Sequence, residues 1–574
     1  MQKRLFLVLA LLLLLCCLCV HLFAEEPSTV PAAEYGEGMT FSANTGRYTL
    51  KKALPSMPLT WEASVYFPYD ATAKYDHILL SNYERSVSGY LWEVTRTGNP
   101  ALVFYNSGGT TRYNFKSVNV YCGKKIHLAI VTDVEQGEIR CYADGVLAET
   151  QTLTVNPADY GVSYTGLGAD HRELNLFLFH GALMRIACYA DVRTAEEIAA
   201  DVTAPSDDGL LLHYDTSATK YGETVVDLSK NKNNAVYEQF WYDEIDNITD
   251  YAYSIAVVGD TQHNVQYQPE TFAKLYDWLS ANAKDRKMAF MLGLGDITND
   301  NTEEQWTHSI ANIAKLDGVI PYALSCGNHD GTAESYSAQF AGTAYAAAVG
   351  DNYFGNLANS YQTFKAGDIH YAVITLEYNP TEEALAFAKS VAEAHPYHRV
   401  IVITHFNLNA RGKLSSAGNK IWNNFVKDCP NVEMVFSGHV INDKILQNTT
   451  KGTAGNTVKH FMVNGQSVDG MRIYEDKEAA GLVAMLYFDA SGKNVKFEYY
   501  STSLDKYFMA CNQFTATVGN LAGDADFSGK ITVADTLKIL KAYMNGAVCY
   551  NGDVNGDLRL TFTDVLATLR VATR

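Results

Sequence analysis

Short apolar runs alternate with amphipathic stretches through the middle of the chain, between residues 250 and 440. Six of these runs end at or beside a side chain that can bind a metal: SIAVVGD, MAFMLGLGD, VIPYALSCGNHD, HYAVITLE, RVIVITHF and VEMVFSGH. The stretches between them, such as PETFAKLYDWLSANAK and EEALAFAKSVAEA, place apolar residues at helical spacing. Apolar strands that alternate with helices predict a sheet covered on both faces. We therefore predict an α/β domain over residues 250–517.

The metal-binding side chains stand at the carboxyl ends of the predicted strands. Ligand sites form at this edge of open α/β sheets. Asp, Asn and His together supply oxygen and nitrogen ligands, which suit Mn, Fe, Zn or Mg better than a thiolate-binding metal. The candidates at the strand ends are Asp260, Asp296, Asn328, His329, Glu377, His405 and His439.

The chain before this domain, residues 40–240, alternates apolar and polar positions between Gly, Asn and Asp turns. That spacing predicts an antiparallel β-sandwich. The order of KIHLAIVTD, CYADGVLAET and LFLFHGALMRIACYADVRTAEEIAADV resembles the laminin-G-like, concanavalin-A-like jelly roll. The resemblance implies a glycan or a cell-surface ligand, but no residue set marks a binding site. QFWYDEIDNITDYAYS joins the two domains without a Pro/Gly/Ser linker, which predicts close packing.

The chain ends in an internal repeat over residues 519–574. Two loops, DADFSGKITVAD and DVNGDLRLTFTD, each precede an apolar helix and place oxygen atoms at the spacing that surrounds calcium. The repeat resembles the type I dockerin module, which implies bound calcium and docking onto a cohesin-bearing scaffold, as in cellulosomes. Leu558 departs from the pattern, because it stands where glycine eases the turn.

The calcium candidates are the odd-numbered loop positions and the last one: Asp524, Asp526, Ser528, Lys530, Thr532, Asp535, Asp553, Asn555, Asp557, Arg559, Thr561 and Asp564. The residues expected to face cohesin are those at loop positions 10 and 11: Val533, Ala534, Phe562 and Thr563.

The N-terminal residues have the pattern of a targeting segment. Lys3 and Arg4 precede the apolar run LFLVLALLLLLCCLCVHLF, and Ala24 stands before two glutamates. This order predicts a secretory signal peptide over residues 1–24 and a secreted, extracellular protein; a membrane anchor is the alternative. No later stretch has the length to span a bilayer. The net charge of −19 disfavours a nucleic-acid-binding surface.

The blocks GDTQ, GDITND, GNHD, THF and SGHV, in this order, resemble the calcineurin-like metallophosphoesterase family. The resemblance implies a pair of divalent ions that share one carboxylate, here Asp296. One ion would take Asn328, His405 and His439 beside this bridge, and the other would take Asp260. The implied reaction is hydrolysis of phosphate mono- or diesters by a metal-bound hydroxide.

The catalytic residues that the resemblance implies are in the GNHD block. His329 would face the substrate, stabilise the phosphoryl oxygens and protonate the leaving group. Asp330 would hold the His329 ring and raise its basicity.

Two positions depart from the family pattern. Gln262 stands where the family has a histidine, and Ile441 replaces the second histidine of the GHxH block. We predict that Gln262 and Asp443 supply replacement oxygens, so that the centre holds one or two ions; for Asp443 the alternative is a turn cap. Two further interpretations are an impaired fold that only binds a ligand or glycan, and a glycan hydrolase in the sandwich, which lacks a paired-carboxylate signature.

Overall fold

The computed structural model describes residues 37–41, 45–68, 76–84, 88–106, 108–161, 166–169, 179–245, 250–474 and 477–573. The predicted signal peptide, residues 1–24, lies outside the described residues. Within the described ranges, no helix combines the length and the apolar character that a membrane crossing needs.

Two antiparallel sheets form the N-terminal sandwich. Its strands are β1 (Met39–Thr40), β2 (Gly46–Leu50), β3 (Thr60–Tyr66), β4 (His77–Glu84), β5 (Ser88–Val94), β6 (Pro100–Asn106), β7 (Gly109–Asn114), β8 (Lys125–Asp133), β9 (Glu138–Ala143), β10 (Val146–Thr152), β11 (Gly166–Leu167), β12 (Ala182–Tyr189), β13 (Leu210–Asp215) and β14 (Ala235–Gln239). One sheet has the order β1-β12-β3-β8-β9-β10, with β13 beside β12, and the other β14-β2-β11-β4-β5-β6-β7. Trp61 and Tyr90 meet edge to face between the sheets, with ring centroids 5.4 Å apart.

A short helix, α1 (Ala195–Asp201), covers the outer face of the first sheet, where Ile198 packs on Tyr142. Arg193 precedes this helix and binds Asp201 at its end. Nε and Nη2 of Arg193 lie 3.0 and 2.5 Å from Oδ2 of Asp201, and both side chains are 2% exposed. This buried ion pair lies entirely within the sandwich.

The central domain consists of two further sheets with helices outside them. The strands are β15 (Trp241–Tyr242), β16 (Tyr253–Val258), β17 (Met288–Gly293), β18 (Tyr322–Leu324), β19 (Tyr353–Phe354), β20 (Asn356–Ala366), β21 (Ile369–Thr375), β22 (Arg399–Ile403), β23 (Val432–Ser437), β24 (Leu446–Lys451), β25 (Thr457–Met462), β26 (Leu482–Phe488), β27 (Asn494–Ser501), β28 (Lys506–Phe508) and β29 (Phe514–Thr517). The helices are α2 (Gln262–Tyr267), α3 (Pro269–Asn282), α4 (Glu303–Ile313), α5 (Ala333–Gln339), α6 (Ala344–Val349), α7 (Glu382–Ala394), α8 (Ser416–Asn424) and α9 (Gln466–Tyr474).

The sheet orders are β15-β28-β27-β26-β16-β17-β18, with β29 beside β27, and β19-β20-β21-β22-β23-β25-β24. Strands β16 to β18 run parallel, and so do β21, β22, β23 and β25. Successive residues of β16 face different cores: Ile255 and Val257 join the core between the sheets, whereas Ala256 and Val258 join the core under the helices. Burial on both faces explains why these strands are continuous apolar runs.

A strand joins the sandwich to the central domain. Trp241 of β15 pairs with Phe508 of β28, and the N–H of Met509 donates to the carbonyl of Phe240 over 2.6 Å. Backbone hydrogen bonds therefore connect the two domains directly, in line with the close packing expected of a segment without a flexible linker.

The C-terminal unit contains α10 (Val533–Asn545) and α11 (Phe562–Ala572), which share a small core with Ile539 and Val565 at its centre. Each helix follows one of the two acidic loops of the sequence repeat. The buried part of this unit is small, so the loops must contribute to holding the helices together.

Burial of His460 on β25 predicts acid sensitivity. Its ring nitrogens lie 3.1 Å from Nδ2 of Asn407 and 2.9 Å from Oγ1 of Thr450, and burial lowers the pKa of His460 from 6.5 to about 4. The folded state therefore binds the proton less well than the unfolded state. The contribution of neutral His460 to the free energy of unfolding is fully present above about pH 6.5. It falls by about 3 kcal/mol in total as the pH approaches 4.

We expect His460→Gln, which keeps hydrogen-bonding groups but does not titrate, to lose less thermal stability than the unchanged protein between about pH 7 and pH 4.5. Circular dichroism melting at both pH values measures this difference. Equal losses in the two proteins would show that His460 does not control acid unfolding.

Candidate metal centre

Candidate ligands gather where parallel strands of both central sheets end. Asp260 follows β16, Asp296 follows β17 and the GNHD turn at residues 327–330 follows β18. On the facing sheet, His405 follows β22 and His439 follows β23. Because the two sheets pack face to face, their carboxyl edges lie side by side and bring these residues together.

Asp296, His405 and His439 form a compact cluster in which one ligand atom from each lies within 4.8 Å of the others. Nε2 of His405 is 3.1 Å from Oδ2 of Asp296, and Nδ1 is 2.7 Å from the carbonyl oxygen of Leu294. Since a carbonyl only accepts, Nδ1 carries a hydrogen, and Nε2 is the ring atom that faces the cluster and could bind a metal. The cluster thus has the geometry of a metal site.

Three residues of this site have left-handed backbone: φ is 51° at Asp260, 49° at Asp296 and 68° at His439. Such a conformation costs a residue with a side chain about 1–3 kcal/mol and persists only where surrounding contacts hold it. The neighbouring glycine is also required, because a Cβ at Gly438 would lie 2.0 Å from Oδ1 of Asp260. Tight turns at the strand ends therefore aim these side chains at one point.

Asp260 lies beside the cluster and is 1% exposed. Its Oδ2 accepts hydrogen bonds from the N–H of His439 at 2.9 Å and from Nδ2 of Asn464 at 2.6 Å. Burial raises the pKa of Asp260 well above its usual range, although the charge of His405 opposes this effect. A nearby cation would stabilise the ionised form of this carboxylate.

Asp296 and His405 form a buried carboxylate–imidazole pair. Burial opposes the charge of Asp296, but the hydrogen bond and charge of His405 outweigh burial and lower the pKa of Asp296. Burial likewise favours the neutral ring of His405, yet Asp296 raises the pKa of His405 to about 9. The site is thus built to hold positive charge next to Asp296.

Gln262 lies against the same carboxylate. It is fully buried, and its Nε2 donates to Oδ2 of Asp296 over 3.0 Å. Its Oε1 is also buried and has no hydrogen-bond partner among the residues the structure describes. An unpaired amide oxygen next to a carboxylate fits a cation ligand better than a packing role.

Asp443 does not join the cluster as expected. Its carboxylate pairs with Arg47 of the sandwich, with Nη1 and Oδ2 2.6 Å apart, and its side chain is 6% exposed. The sequence could not reveal this, because Arg47 lies in the other domain. Since Ile441 also offers no ligand atom, the half of the centre beside Asp260 has fewer ligands than the half beside His405.

His329 and Asp330 differ from the expected pair. Nδ1 of His329 lies 2.7 Å from the carbonyl oxygen of Asn299, so a backbone group, not Asp330, fixes the ring. Asp330 instead accepts from the backbone N–H groups of Thr298 and Gly327, each over 2.9 Å, and so holds two loops together. Burial raises the pKa of Asp330 to about 6.

The GNHD turn also touches the cluster directly. The backbone N–H of His329 donates to Oδ1 of Asp296 over 3.0 Å. Asn328, which precedes it, is exposed, whereas His329 is half-buried. Asn328 thus lies at the solvent side of the site.

An aromatic pair at the site was not predicted from the sequence. The rings of Tyr378 and Phe406 stack with centroids 5.9 Å apart, and both pack on the His439 ring. The hydroxyl of Tyr378 is 3.4 Å from Nε2 of His439. The sequence signal that could have identified them is their position directly after Glu377 and His405, at two strand ends.

The two acidic loops of the C-terminal unit have similar backbone conformations. Position 6 has positive φ in both, 90° at Gly529 and 64° at Leu558. The N–H at this position donates to the first aspartate of each loop, Asp524 or Asp553, over 2.7 and 2.8 Å. Leu558 therefore adopts the conformation that glycine has in the first loop.

The last aspartate of each loop, Asp535 or Asp564, accepts from the backbone and hydroxyl of the threonine that begins the helix. Asp524, Asp526 and Asp535 each offer an oxygen within 4.8 Å of the others. The proposed partner residues Val533, Ala534, Phe562 and Thr563 are all exposed.

Residues 253–443, which include every candidate ligand of the cluster, match the family model described as calcineurin-like phosphoesterase. The central domain is thus similar to calcineurin-like phosphoesterases. Residues 43–199 match the model of the concanavalin A-like lectin/glucanases superfamily. The predicted order of a β-sandwich followed by a phosphoesterase domain is thereby confirmed.

Individual relatives share only parts of the chain. "Uncharacterized protein YvnB" of Bacillus subtilis (strain 168) is 30% identical over 197 residues, which are 33% of this chain and 15% of that protein. The chain therefore spans a small part of that relative.

Two solved structures are similar to this chain over different shares of its length. Purple acid phosphatase PPD1 from yellow lupin has a TM-score of 0.31 at 12% identity, covering 84% of this chain and 95% of that one. The Ruminococcus gnavus IT-sialidase CBM40 bound to alpha2,3 sialyllactose has a TM-score of 0.24 at 19% identity, covering 29% and 96%. TM-scores this low do not assign a function to any part of the chain.

Proposed function

We propose that the phosphoesterase domain is a metal-dependent hydrolase of phosphate mono- or diesters. The observation that supports this proposal is the convergence of Asp296, His405 and His439 beside the buried Asp260. Backbone strain at the strand ends and an unpaired Gln262 oxygen accompany it. Residues with this backbone conformation cluster at functional sites, where surrounding contacts maintain the strain.

The donor set fits a divalent ion. Asp296, His405 and His439 would hold it, with Asn328 at the solvent side, and their oxygen and nitrogen atoms suit Mn, Fe, Zn or Mg. When bound, such an ion polarises a phosphoryl oxygen and lowers the pKa of a water molecule. We propose that one ion is held tightly, because Ile441 offers no ligand and Asp443 is engaged by Arg47.

The residues of the chain supply the remaining chemistry. The Asn299 carbonyl keeps the hydrogen of His329 on Nδ1, so Nε2 is the atom that can carry a second proton and give it to a leaving group. The GNHD turn is fixed to Asp296 through the N–H of His329. Tyr378 and Phe406 orient the ring of His439 and shield it on one side.

The experiment combines metal analysis with hydrolysis assays on the purified full-length chain. Mass spectrometry counts transition metals separately from calcium, so calcium bound at the predicted C-terminal sites does not affect the count. p-Nitrophenyl phosphate and bis(p-nitrophenyl) phosphate then separate monoester from diester hydrolysis. Bound metal without hydrolysis of either ester would favour the alternative, a ligand-binding domain on this fold. The observation that favours this alternative is that Gln262 and Ile441 replace two histidines of the family pattern.

We also propose that the protein is secreted and docks onto a cohesin-bearing scaffold through its C-terminal unit, with calcium in both loops. Support comes from the repeat of two matching loops and from the exposed apolar residues Val533 and Phe562, each the first residue of its helix. The sandwich would bind a glycan or cell-surface ligand and so bring the enzyme to its substrate. Calcium-dependent binding to a type I cohesin tests the docking.

Leu558→Gly is expected to raise the calcium affinity of the second loop about fivefold, because glycine removes roughly 1 kcal/mol of strain at positive φ. Titration against a calcium-binding chromophore measures the effect. Leu558→Ala is the matched control, since it removes the same side chain but keeps a Cβ at a φ of 64°. Equal affinities for the Gly and Ala variants would contradict strain as the cause.

A further inference from the structure

The loop that carries His439 is held by residues outside the phosphoesterase strands. Residues 439–445 lead from the end of β23 to the start of β24. At one end, the N–H of His439 donates to Asp260. At the other end, Asn512 accepts from the N–H of Ile445 and donates to the carbonyl of Asp443, each over 2.9 Å. Both backbone ends of the loop are therefore fixed from within the central domain.

The side chains of the loop are fixed from the sandwich. Arg47 of β2 reaches Oδ2 of Asp443 at 2.6 Å and Oε2 of Glu238 at 3.0 Å. Lys444 reaches the other oxygen of Glu238 at 3.1 Å. Two cations and two carboxylates thus alternate across the domain boundary, with each domain supplying one of each sign.

Arg47 is the buried member of this network, with its side chain 2% exposed. Burial opposes its charge, but Asp443 and Glu238 outweigh burial and raise the pKa of Arg47. Glu238 in turn has its pKa lowered, against its own burial, by Arg47 and Lys444. Removal of Arg47 would leave Asp443 buried without a cation, so the loop would have to move to expose this carboxylate to water.

Such a movement would reach the metal centre, because His439 has a φ of 68° that only surrounding contacts maintain. We propose that Arg47 of the sandwich is a positioning residue for the metal centre: it holds Asp443 and thereby keeps His439 in its ligand position. This inference rests on the proposed metal-dependent function, and it makes the sandwich part of the phosphoesterase site in addition to its proposed role in binding surfaces.

The test compares full-length variants. Arg47→Met removes the charge at similar length, and Asp443→Asn removes the loop partner while Arg47 keeps Glu238, so this second variant leaves no buried unpaired charge. Arg193→Met is the matched control, because it breaks an equally buried ion pair within the sandwich, with Asp201. Zn²⁺ affinity is measured by competition with a chromophoric chelator, and amide hydrogen exchange is followed over residues 438–446.

We expect Arg47→Met and Asp443→Asn to weaken Zn²⁺ binding about 10- to 100-fold, the usual effect of losing a residue that orients a ligand. Exchange over residues 438–446 should accelerate in both variants and remain unchanged in Arg193→Met, whose Zn²⁺ affinity should also be unchanged.

Two results would overturn the inference while leaving the proposed function intact. One is unchanged Zn²⁺ affinity in a folded Asp443→Asn protein. The other is an equal loss of affinity in Arg193→Met, which would indicate general destabilisation. Failure of the unchanged protein to bind Zn²⁺ would instead overturn the proposed metal centre and this role of Arg47 with it.

Discussion

Asp296→Asn is expected to abolish metal binding at the centre and to lower kcat/KM for phosphoester hydrolysis by about 10³-fold or more. The carboxylate contacts His405 and Gln262 through Oδ2 and the N–H of His329 through Oδ1. An amide offers one acceptor oxygen and no charge, so it cannot serve both halves of the site. Metal content by mass spectrometry and initial rates at saturating Mn²⁺ measure the two effects.

Asp469→Asn is the matched control for this substitution. Asp469 is also a buried aspartate of the phosphoesterase domain, but its carboxylate accepts from Asn264 and from the backbone N–H groups of Ala480 and Gly481. It should lose stability and keep its metal. Retention of metal and of most activity in Asp296→Asn would contradict the assignment of Asp296 as the shared ligand.

The parts of the fold that the sequence predicts are those set by local periodicity. Ile255 and Val257 alternate with Ala256 and Val258 between two cores, and this double burial produces the apolar runs that mark the parallel strands. A ligand at the end of each run then falls at one edge of the sheets by topology alone. For this reason residues from Asp260 to His439, far apart in the chain, could be placed together in advance.

The parts that the sequence does not predict depend on contacts between distant loops. Asp443 was expected near the metal, but whether a carboxylate turns toward a metal or toward an arginine depends on which domain packs on its loop. Likewise Asp330 was expected to hold the ring of His329, but the Asn299 carbonyl accepts from Nδ1 of that ring, and Asp330 accepts from the N–H groups of Thr298 and Gly327. Neither Arg47 nor Asn299 carries any periodic pattern that links it to the site.

The Asn299 contact leads to the second large prediction, for His329→Gln. With Nδ1 bonded to a carbonyl, only Nε2 can deliver a proton to the departing oxygen, and glutamine has no group that does this near neutral pH. We expect kcat to fall about 10²-fold or more for an alkyl phosphate, whose leaving group needs the proton. For p-nitrophenyl phosphate, whose leaving group departs as an anion, the decrease should be much smaller.

Metal content separates this role from a structural one, because His329→Gln should bind as much metal as the unchanged protein. His308→Gln is the matched control: His308 is also half-buried, and its Nε2 lies 3.0 Å from the carbonyl of Pro269, away from the cluster. It should change neither rate. An equal decrease for both esters in His329→Gln would mean that His329 stabilises the phosphoryl group and that water protonates the leaving group, since proton delivery alone distinguishes the two substrates.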